Sequence, residues 1–422
     1  MRAVRRFVRI LGLALCVLAL VQASHRARAG RSALLKWIPA QQALQRGEPL
    51  YEVGEEGYPT LPLTLLAMKP FHALGPLVGA SLWSLAQVAC AAWIVITALA
   101  LAAGRASLAP PWAQLVIGLL SFRVLLSDVL HGNINVFVGA ILAAAARDWA
   151  GGRETRAGAW VGLAAVAKLT PLLFLALFVA QRSGRALAGA AASLAFFAFL
   201  LPGWLLGFSR NLDLVSGWSR QMVLPYLSAA PLSLRQTEQI NQSLLGVMAR
   251  HLTPSVAIEA RPPVFPRDVF INWAALDPGA FRGLHLAAVV LVLAGALAAI
   301  GVRRRGAGPV GGLTALGQFS VLSLAMVLVS ERSWKHHWVL LAFPLAFLVR
   351  HVYSRGDRLD GIGRGTRGIA AAAVLASALA HGLSGSGVLG ARGSDLAEAY
   401  GVWMAGGLVL LLASGLVLRR SR

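Results

Sequence analysis

The sequence predicts an all-α, polytopic integral membrane protein, with residues 1–422 forming a single transmembrane domain. Three observations predict it. Hydrophobic residues make up 57% of the chain and charged residues only 13%. The mean hydropathy is +0.67, a value of membrane proteins and not of soluble domains. Apolar runs also recur along the chain at about 17 to 25 residues, the length that carries a helix across a bilayer.

Taken in order, the candidate spans are about 7–22, 78–103, 111–127, 133–149, 185–207, 281–302, 312–330, 336–353, 367–386 and 397–418. With a short broken hairpin at 157–181 they make about 11–12 transmembrane helices. The basic start and the Ala-Arg-Ala before Gly30 also fit a cleavable signal peptide, but the many spans that follow favour a retained first helix. An outer loop over 23–60 holds Leu34, Leu35, Ile38 and Leu44 on one face, which predicts an amphipathic helix at the membrane interface, started or bent by Pro39. The stretch 157–181 has the length of one span, yet Lys168 and Pro171 interrupt its middle. The region 209–280 carries Pro225, Pro231, Pro254, Pro262, Pro263 and Pro266 and is predicted to be a long outer loop with short helices.

The arginines orient these spans. Arg2, Arg5, Arg6 and Arg9 place the N-terminus in the cytoplasm. If 157–181 crosses once, the basic runs at 303–305, 350–358 and 419–422 fall outside; if it folds back at Lys168–Pro171, all three fall inside. The hairpin satisfies the positive-inside rule, provided that its broken backbone is buried in protein or lines a cavity. The polar segments 23–60, 127–135, 209–280 and 330–338 then emerge together on the non-cytoplasmic face of a cytoplasmic (inner) membrane.

The formal net charge is +22. Its arginines are scattered between apolar spans and not gathered with aromatics on one face, so membrane lipids are the expected partner and nucleic acid is not. Cys16 and Cys90 both lie in apolar runs, which gives no disulfide framework and no metal site.

Polar residues cluster at a few places. In "SDVLHGNINVF", Asp128, His131, Asn133 and Asn135 stand at the outer start of a span. They read as an acid–base or sugar-binding group; helix capping by Asp128 or Asn133 is the plainer account, but explains one of the four. Lys168 lies within an apolar stretch, where an unpaired cation costs roughly 2.5–3.5 kcal/mol, so it needs a carboxylate, a polar cavity or a phosphate-bearing ligand. Lys69, in "TLLAMKPF", either reaches a phosphate or snorkels to lipid headgroups. In "RQTEQINQSLLG", the amides Gln239, Asn241 and Gln242 suit hydroxyl recognition. "SERSWKHHW" packs Glu331, Arg332, Lys335, His336 and His337 between two apolar runs, more than a solvated turn requires. Its neighbouring histidines are poorly placed to chelate one ion. The chain has only four lysines, Lys36, Lys69, Lys168 and Lys335, and three of them lie in these clusters.

The order of "GEPLYE", "YPTLPLTLLAMKPFHALGP", "HGNINVF" and "AGAWVGLAAVAKLTPLLFLALF" resembles glycosyltransferase family 87, a polyprenyl-phosphate-dependent group of GT-C type, over roughly residues 30–350. The Gly-Asn-x-Asn at 132–135 and the Lys-x-Thr-Pro at 168–171 carry the resemblance together. It implies a GT-C-like membrane hexosyltransferase, most often a mannosyltransferase, that needs no cofactor. Such an enzyme moves a sugar with inversion from a polyprenyl-phosphate donor to a lipid or glycan acceptor on the non-cytoplasmic face. Where the family usually has a catalytic aspartate, counting back from Tyr51 reaches Ala33, and no acid stands nearby in "GRSALLKW". Asp128 and then Glu331 are therefore the candidate catalytic bases, ahead of Glu48, Glu52, Glu55 and Glu56. Lys69, Lys168, Arg332 and Lys335 are the candidate donor-phosphate ligands. His131, Asn133, Asn135, Gln239, Asn241, Gln242, His336 and His337 are the candidate sugar and acceptor ligands. The missing acid leaves a rival: a lipid-linked glycan transporter, or a binding protein without the chemistry.

Overall fold

The computed structural model describes residues 2–51, 58–104, 109–224, 234–302, 308–353 and 364–421. Glu52, Glu55, Glu56, Pro225, Pro231, the basic run 303–305 and residues 354–358 of the next run lie outside the described residues. The described residues are helical throughout apart from loops and two isolated bridges, Ile258 with Val269 and Arg261 with Phe265. The protein is an all-α polytopic membrane protein.

Among the described residues, seven helical stretches are long and apolar enough to cross a membrane: Ile10–Arg46, Gly75–Ala103, Pro111–His131, Gly184–Leu206, Pro278–Ile300, Gly312–Val329 and Val402–Arg420. An eighth is added if Arg364–Gly382 and Ser386–Ala399, bent by 84° at their junction, count as one span. Asn135–Ala150, with 16 residues, falls short of that length, as do Thr170–Ala180 and Val339–Tyr353. Leu13, Val21, Leu286 and Leu291 are all exposed, as expected of helix faces that meet lipid tails.

The chain divides into two compact units, one of residues 1–97 and 125–230, the other of 98–124 and 231–422. The first begins with α1 (Arg2–Arg28), α2 (Ala33–Lys36), α3 (Ile38–Arg46) and α4 (Pro62–Ala73), and continues into α5 (Gly75–Ala103). Pro39 and Pro62 stand in the first turns of α3 and α4, where a missing N–H costs nothing, and Gly47 ends α3 in the left-handed region at φ 79°. Two residues of the apolar face over 33–46, Leu34 and Leu44, pack on protein. Leu34 and Leu44 are buried in one cluster with Tyr51, Tyr58, Leu65, Met68 and Trp83.

α6 (Pro111–His131) leads into α7 (Asn135–Ala150), α8 (Glu154–Ala167), α9 (Leu175–Ala180) and α10 (Gly184–Ala195). α8 and α10 approach backbone to backbone. A Cβ on Gly158 would lie 1.8 Å from the Ala186 carbonyl oxygen, and one on Gly189 would lie 2.1 Å from that of Thr155. Glycine is the residue that permits this approach, a recurrent device of helix pairs in membranes. Asp148, buried at the end of α7, accepts from Arg153 Nε at 2.7 Å and Trp160 Nε1 at 3.0 Å, which pins the α7–α8 turn.

In the second unit Gly312–Val329 is the core helix: Ala315 to Leu328 are buried in succession. Gly317 lets Leu418 and Phe347 close in, and Gly407 lets Trp338 do so. Arg123 crosses this unit's interior, donating to the His381 carbonyl at 2.9 Å and to Ser384 Oγ at 3.2 Å, with its guanidinium 5.3 Å from the Trp403 ring centre.

Candidate active site

The break expected at Lys168 builds the principal site. α8 stops at Ala167, and Lys168 follows in extended conformation at φ −154°, ψ 129°. Pro171 has no N–H to return to the Ala167 carbonyl, so the helix cannot continue through this point, and a short 3-10 turn, Thr170–Phe174, takes over. This geometry turns the lysine side chain toward the start of α7.

There, Lys168 Nζ donates to Asn135 Oδ1 at 2.7 Å, and Asn135 Nδ2 donates to Asp128 Oδ1 at 2.7 Å. The backbone N–H of Val136 donates to Asp128 Oδ2 at 2.9 Å. Asp128, on α6, thus caps the first turn of α7 and at the same time anchors the amide that holds the lysine. Asp128 is fully buried and Asn135 is 6% exposed, whereas Lys168 is half-buried. The result is a relay in which a buried carboxylate balances a half-buried lysine through one amide.

The turn between α6 and α7 holds the relay in register. Gly132 adopts φ 71°, and a Cβ there would fall 2.2 Å from Ser32 Oγ, so both conformation and space require glycine. Trp83 Nε1 donates to the Gly132 carbonyl at 2.8 Å and Gln87 Nε2 donates to the Asn133 carbonyl at 2.6 Å. His131 is exposed beside this turn and donates from Nδ1 to the Ser127 carbonyl at 2.6 Å. Ala33, the first residue of α2, abuts Gly132: its backbone nitrogen lies 3.0 Å from the position of a Cβ there. The place where the resemblance leads one to look for an acid therefore borders this loop. Lys69 lies on the exposed side of α4.

The remaining candidates belong to the second unit and form a different kind of cluster. Asn241 is fully buried; its Nδ2 donates to the carbonyls of Gln236 at 2.8 Å and Glu331 at 2.9 Å, while its Oδ1 accepts from the N–H groups of Ser243 at 3.2 Å and Ser333 at 2.8 Å. Gln242 donates to the carbonyls of Gln239 and Glu398, each at 2.7 Å, and accepts from the Trp403 N–H at 3.1 Å. Gln239 is itself buried. The amides of Asn241 and Gln242, expected to recognise sugar hydroxyls, bond to main chain. Glu331 is half-buried and accepts from Gln236 Nε2. Burial raises its carboxyl above the ordinary range, opposed by the charge of Arg332 and by the Gln236 bond. Lys335 is paired with the buried Glu398 and so has a carboxylate of its own. His336 is buried and His337 half-buried, their rings edge to face at 4.8 Å, and Arg332 is half-buried beside them.

Sequence reasoning passed over the residues that tie this second cluster together. Arg250, fully buried, donates to five carbonyls: Ala399 at 2.8 Å, Thr237 at 3.2 Å, Glu238 at 2.8 Å, Asn241 at 2.9 Å and Glu398 at 3.2 Å. It looked like one more arginine of a basic chain. Gln87 gave a clearer signal, as an amide inside the apolar run 78–103.

A half-buried lysine tied to a buried acid and amide lies within a helical membrane protein. Its particular kind follows from the comparison with known families. Residues 58–331, well over half of the chain, match the model of glycosyltransferase family 87. The chain belongs to that family and is a membrane glycosyltransferase. The match takes in Asp128, Asn135, Lys168 and Glu331; Ala33 precedes it, and Arg332 and Lys335 follow it. No curated protein and no solved structure matches the chain.

Proposed function

We propose that the protein transfers a hexose, mannose in the first place, from a polyprenyl-phosphate sugar to a hydroxyl of a lipid or glycan acceptor, with inversion, on the non-cytoplasmic face of the cytoplasmic membrane. The observation that carries this reading is the half-buried Lys168 at the end of its relay to Asn135 and Asp128. The donor is a phosphodiester. As its C1–O bond breaks, the electron pair passes to the phosphate oxygen, and the leaving polyprenyl phosphate gains negative charge. A lysine ammonium already oriented by Asn135 meets that charge without reorganisation, which is where an electrostatic contribution to rate is largest.

In this reading Lys168 is the donor-phosphate ligand, and Asn135 and Asp128 are positioning residues. Asp128 has both oxygens committed and is fully buried, which argues against the direct role of base first expected of it. His131 and Asn133, on the turn above the relay, are the sugar ligands, and Lys69 and Arg332 are further cations for lipid phosphate. Lys335, Asn241 and Gln242 serve the architecture.

The test follows labelled sugar from a panel of polyprenyl-phosphate donors into extractable product, with wild type beside Lys168→Met. Loss of about 10²–10³-fold in transfer, with weakened polyprenyl-phosphate binding, is expected. Unchanged turnover in Lys168→Met would sink the phosphate role. Donor binding by the wild type with no transfer from any donor would favour a lipid-sugar binding function.

A further inference from the structure

The two feet of the broken hairpin carry arginines that sugar transfer does not use. Arg153 and Arg156 stand at the start of α8, and Arg182 and Arg185 stand in the turn from α9 into α10; all four are exposed. Ser183 joins the two places. Its Oγ donates to Glu154 Oε2 at 2.8 Å and caps α10 by accepting from the Ala186 N–H at 3.2 Å. The close approach of Gly158 to the Ala186 carbonyl, next along from Arg185, locks the same two helices together. We propose that these arginines form a binding site for the headgroup phosphate of an anionic phospholipid.

Charge and position both favour that ligand. Asp148 accepts from Arg153 at 2.7 Å and from Arg156 at 3.2 Å, so one carboxylate is shared between two guanidiniums. Among the described residues neither Arg182 nor Arg185 has a carboxylate partner. The spanning stretch Gly184–Leu206 begins at this turn, and Val179, three residues before Arg182, is 62% exposed. Guanidiniums at the end of a span, beside an apolar side chain open to lipid tails, meet a headgroup and its acyl chains together. The planar fork of arginine makes paired hydrogen bonds to phosphate oxygens.

The backbone at Arg182 supplies an independent observation. The Ser183 N–H donates to the Phe178 carbonyl at 2.9 Å and the Arg182 N–H to that of Val179 at 2.9 Å. This pattern closes a helix through one residue in the left-handed region, and that residue is usually glycine. Arg182 adopts it at φ 52°, the one non-glycine residue with positive φ among those described; Gly47, Gly132 and Gly152 are of the usual kind. A side chain is thus kept where the backbone favours none, and a task for the guanidinium accounts for it. α8 leads to Lys168 and α9 leads away from it, so a phosphate held by arginines of both feet fixes the base of the hairpin that carries this lysine.

The test uses the full-length protein, stripped of lipid in neutral detergent. Retained lipid is counted by native mass spectrometry as dioleoyl-phosphatidylglycerol or dioleoyl-phosphatidylcholine is titrated in. Wild type is expected to bind the anionic lipid more tightly by about tenfold or more. Arg182→Gly is expected to weaken that binding about fivefold, the share of one arginine at a membrane surface, while the thermal midpoint without lipid holds or rises because glycine suits the turn. Adding Arg185→Gln is expected to bring the loss to about twentyfold to thirtyfold, whereas Arg267→Gln, an exposed charge elsewhere in the chain, leaves binding unchanged. Equal binding of the two lipids by wild type overturns the proposal. So does an equal loss in Arg267→Gln, which would mark a diffuse effect of charge, and so does a midpoint that falls in Arg182→Gly, which would give that side chain to the fold. Displacement of the lipid by inorganic phosphate at equal concentration would make the site one for a free anion and overturn the lipid assignment. None of these readouts depends on sugar transfer, so failure here and failure of the transferase reading are separate results.

Discussion

Two buried polar clusters in this protein are each built around an asparagine, and they use it in opposite ways. Asn135 bonds side chain to side chain, joining the carboxylate of Asp128 to the ammonium of the half-buried Lys168. Asn241 bonds to main chain at all four of its positions and leaves nothing over. The first cluster fixes the direction of a cation and the second joins stretches of main chain. Residue type does not separate them, because both are amides in a chain that is 57% hydrophobic. The partner decides: an amide spent on backbone carbonyls and N–H groups replaces missing secondary structure, whereas one spent on a charged side chain orients that charge.

The sharpest way to break this comparison is at Arg250. Its five carbonyl partners come from 237–241 and 398–399, so one guanidinium closes two stretches of irregular chain. Arg250→Met takes a donor from all five carbonyls, of which those of Glu238 and Glu398 keep another, and a loss of about 3–5 kcal/mol is expected, read as a large drop in thermal midpoint of the detergent-solubilised protein. A midpoint that stays put would mean that the second cluster is held by apolar packing and that its polar residues are available for other tasks.

The paired asparagines give the next largest effect and test the contrast directly. Asn241→Ala removes the partner of two carbonyls and two N–H groups, of which the Glu331 carbonyl keeps the Ser243 hydroxyl, and about 2–4 kcal/mol of stability is expected to go, with the yield of folded protein falling more than the turnover of what folds. Asn135→Ala frees the ammonium of Lys168 from its fixed direction. Turnover of the folded fraction is expected to fall by about tenfold to a hundredfold, as when a hydrogen bond that orients a ligating group is removed. The comparison fails if the two variants behave alike in both measurements.

Much of this was legible beforehand, for identifiable reasons. Apolar run length announces a spanning helix, and so the all-α membrane fold was readable from hydropathy alone. Lys168 and Pro171 announced a break because neither fits an apolar helix interior, and the structure breaks there. The site was half legible. Asp128, Asn135 and Lys168 stand out as polar groups among apolar ones, but their linkage depends on how three helix ends meet, and spacing in sequence does not encode that. Likewise nothing in "QINQS" tells whether an amide faces a ligand or the backbone of residues 331–333 and 398–403, to which Asn241 and Gln242 bond. The amphipathic pattern of 33–46 does not tell which surface its apolar residues meet, and Leu34 and Leu44 share a buried cluster with Tyr51 and Trp83.

The smallest expected effect is at Glu331, the acid of the second cluster. Burial disfavours its charge and holds its carboxyl above the ordinary carboxylate range, so the folded chain binds this proton more tightly than the unfolded chain. Stability from this group is therefore present below the unfolded value and is lost as pH rises through the folded one, and at neutral pH the fold carries the charge at a cost. Glu331→Gln removes the charge and keeps an oxygen for Gln236. A gain of a few degrees at most in thermal midpoint is expected at neutral pH, shrinking to nothing in acid below the unfolded carboxyl value. Transfer is expected to change little, since the carboxylate is bonded to the amide of Gln236 and serves the main-chain knot around Asn241. Turnover that collapses in Glu331→Gln while the midpoint rises would show the second cluster to hold chemistry as well as structure, and the division drawn between the two asparagines would then be one of degree.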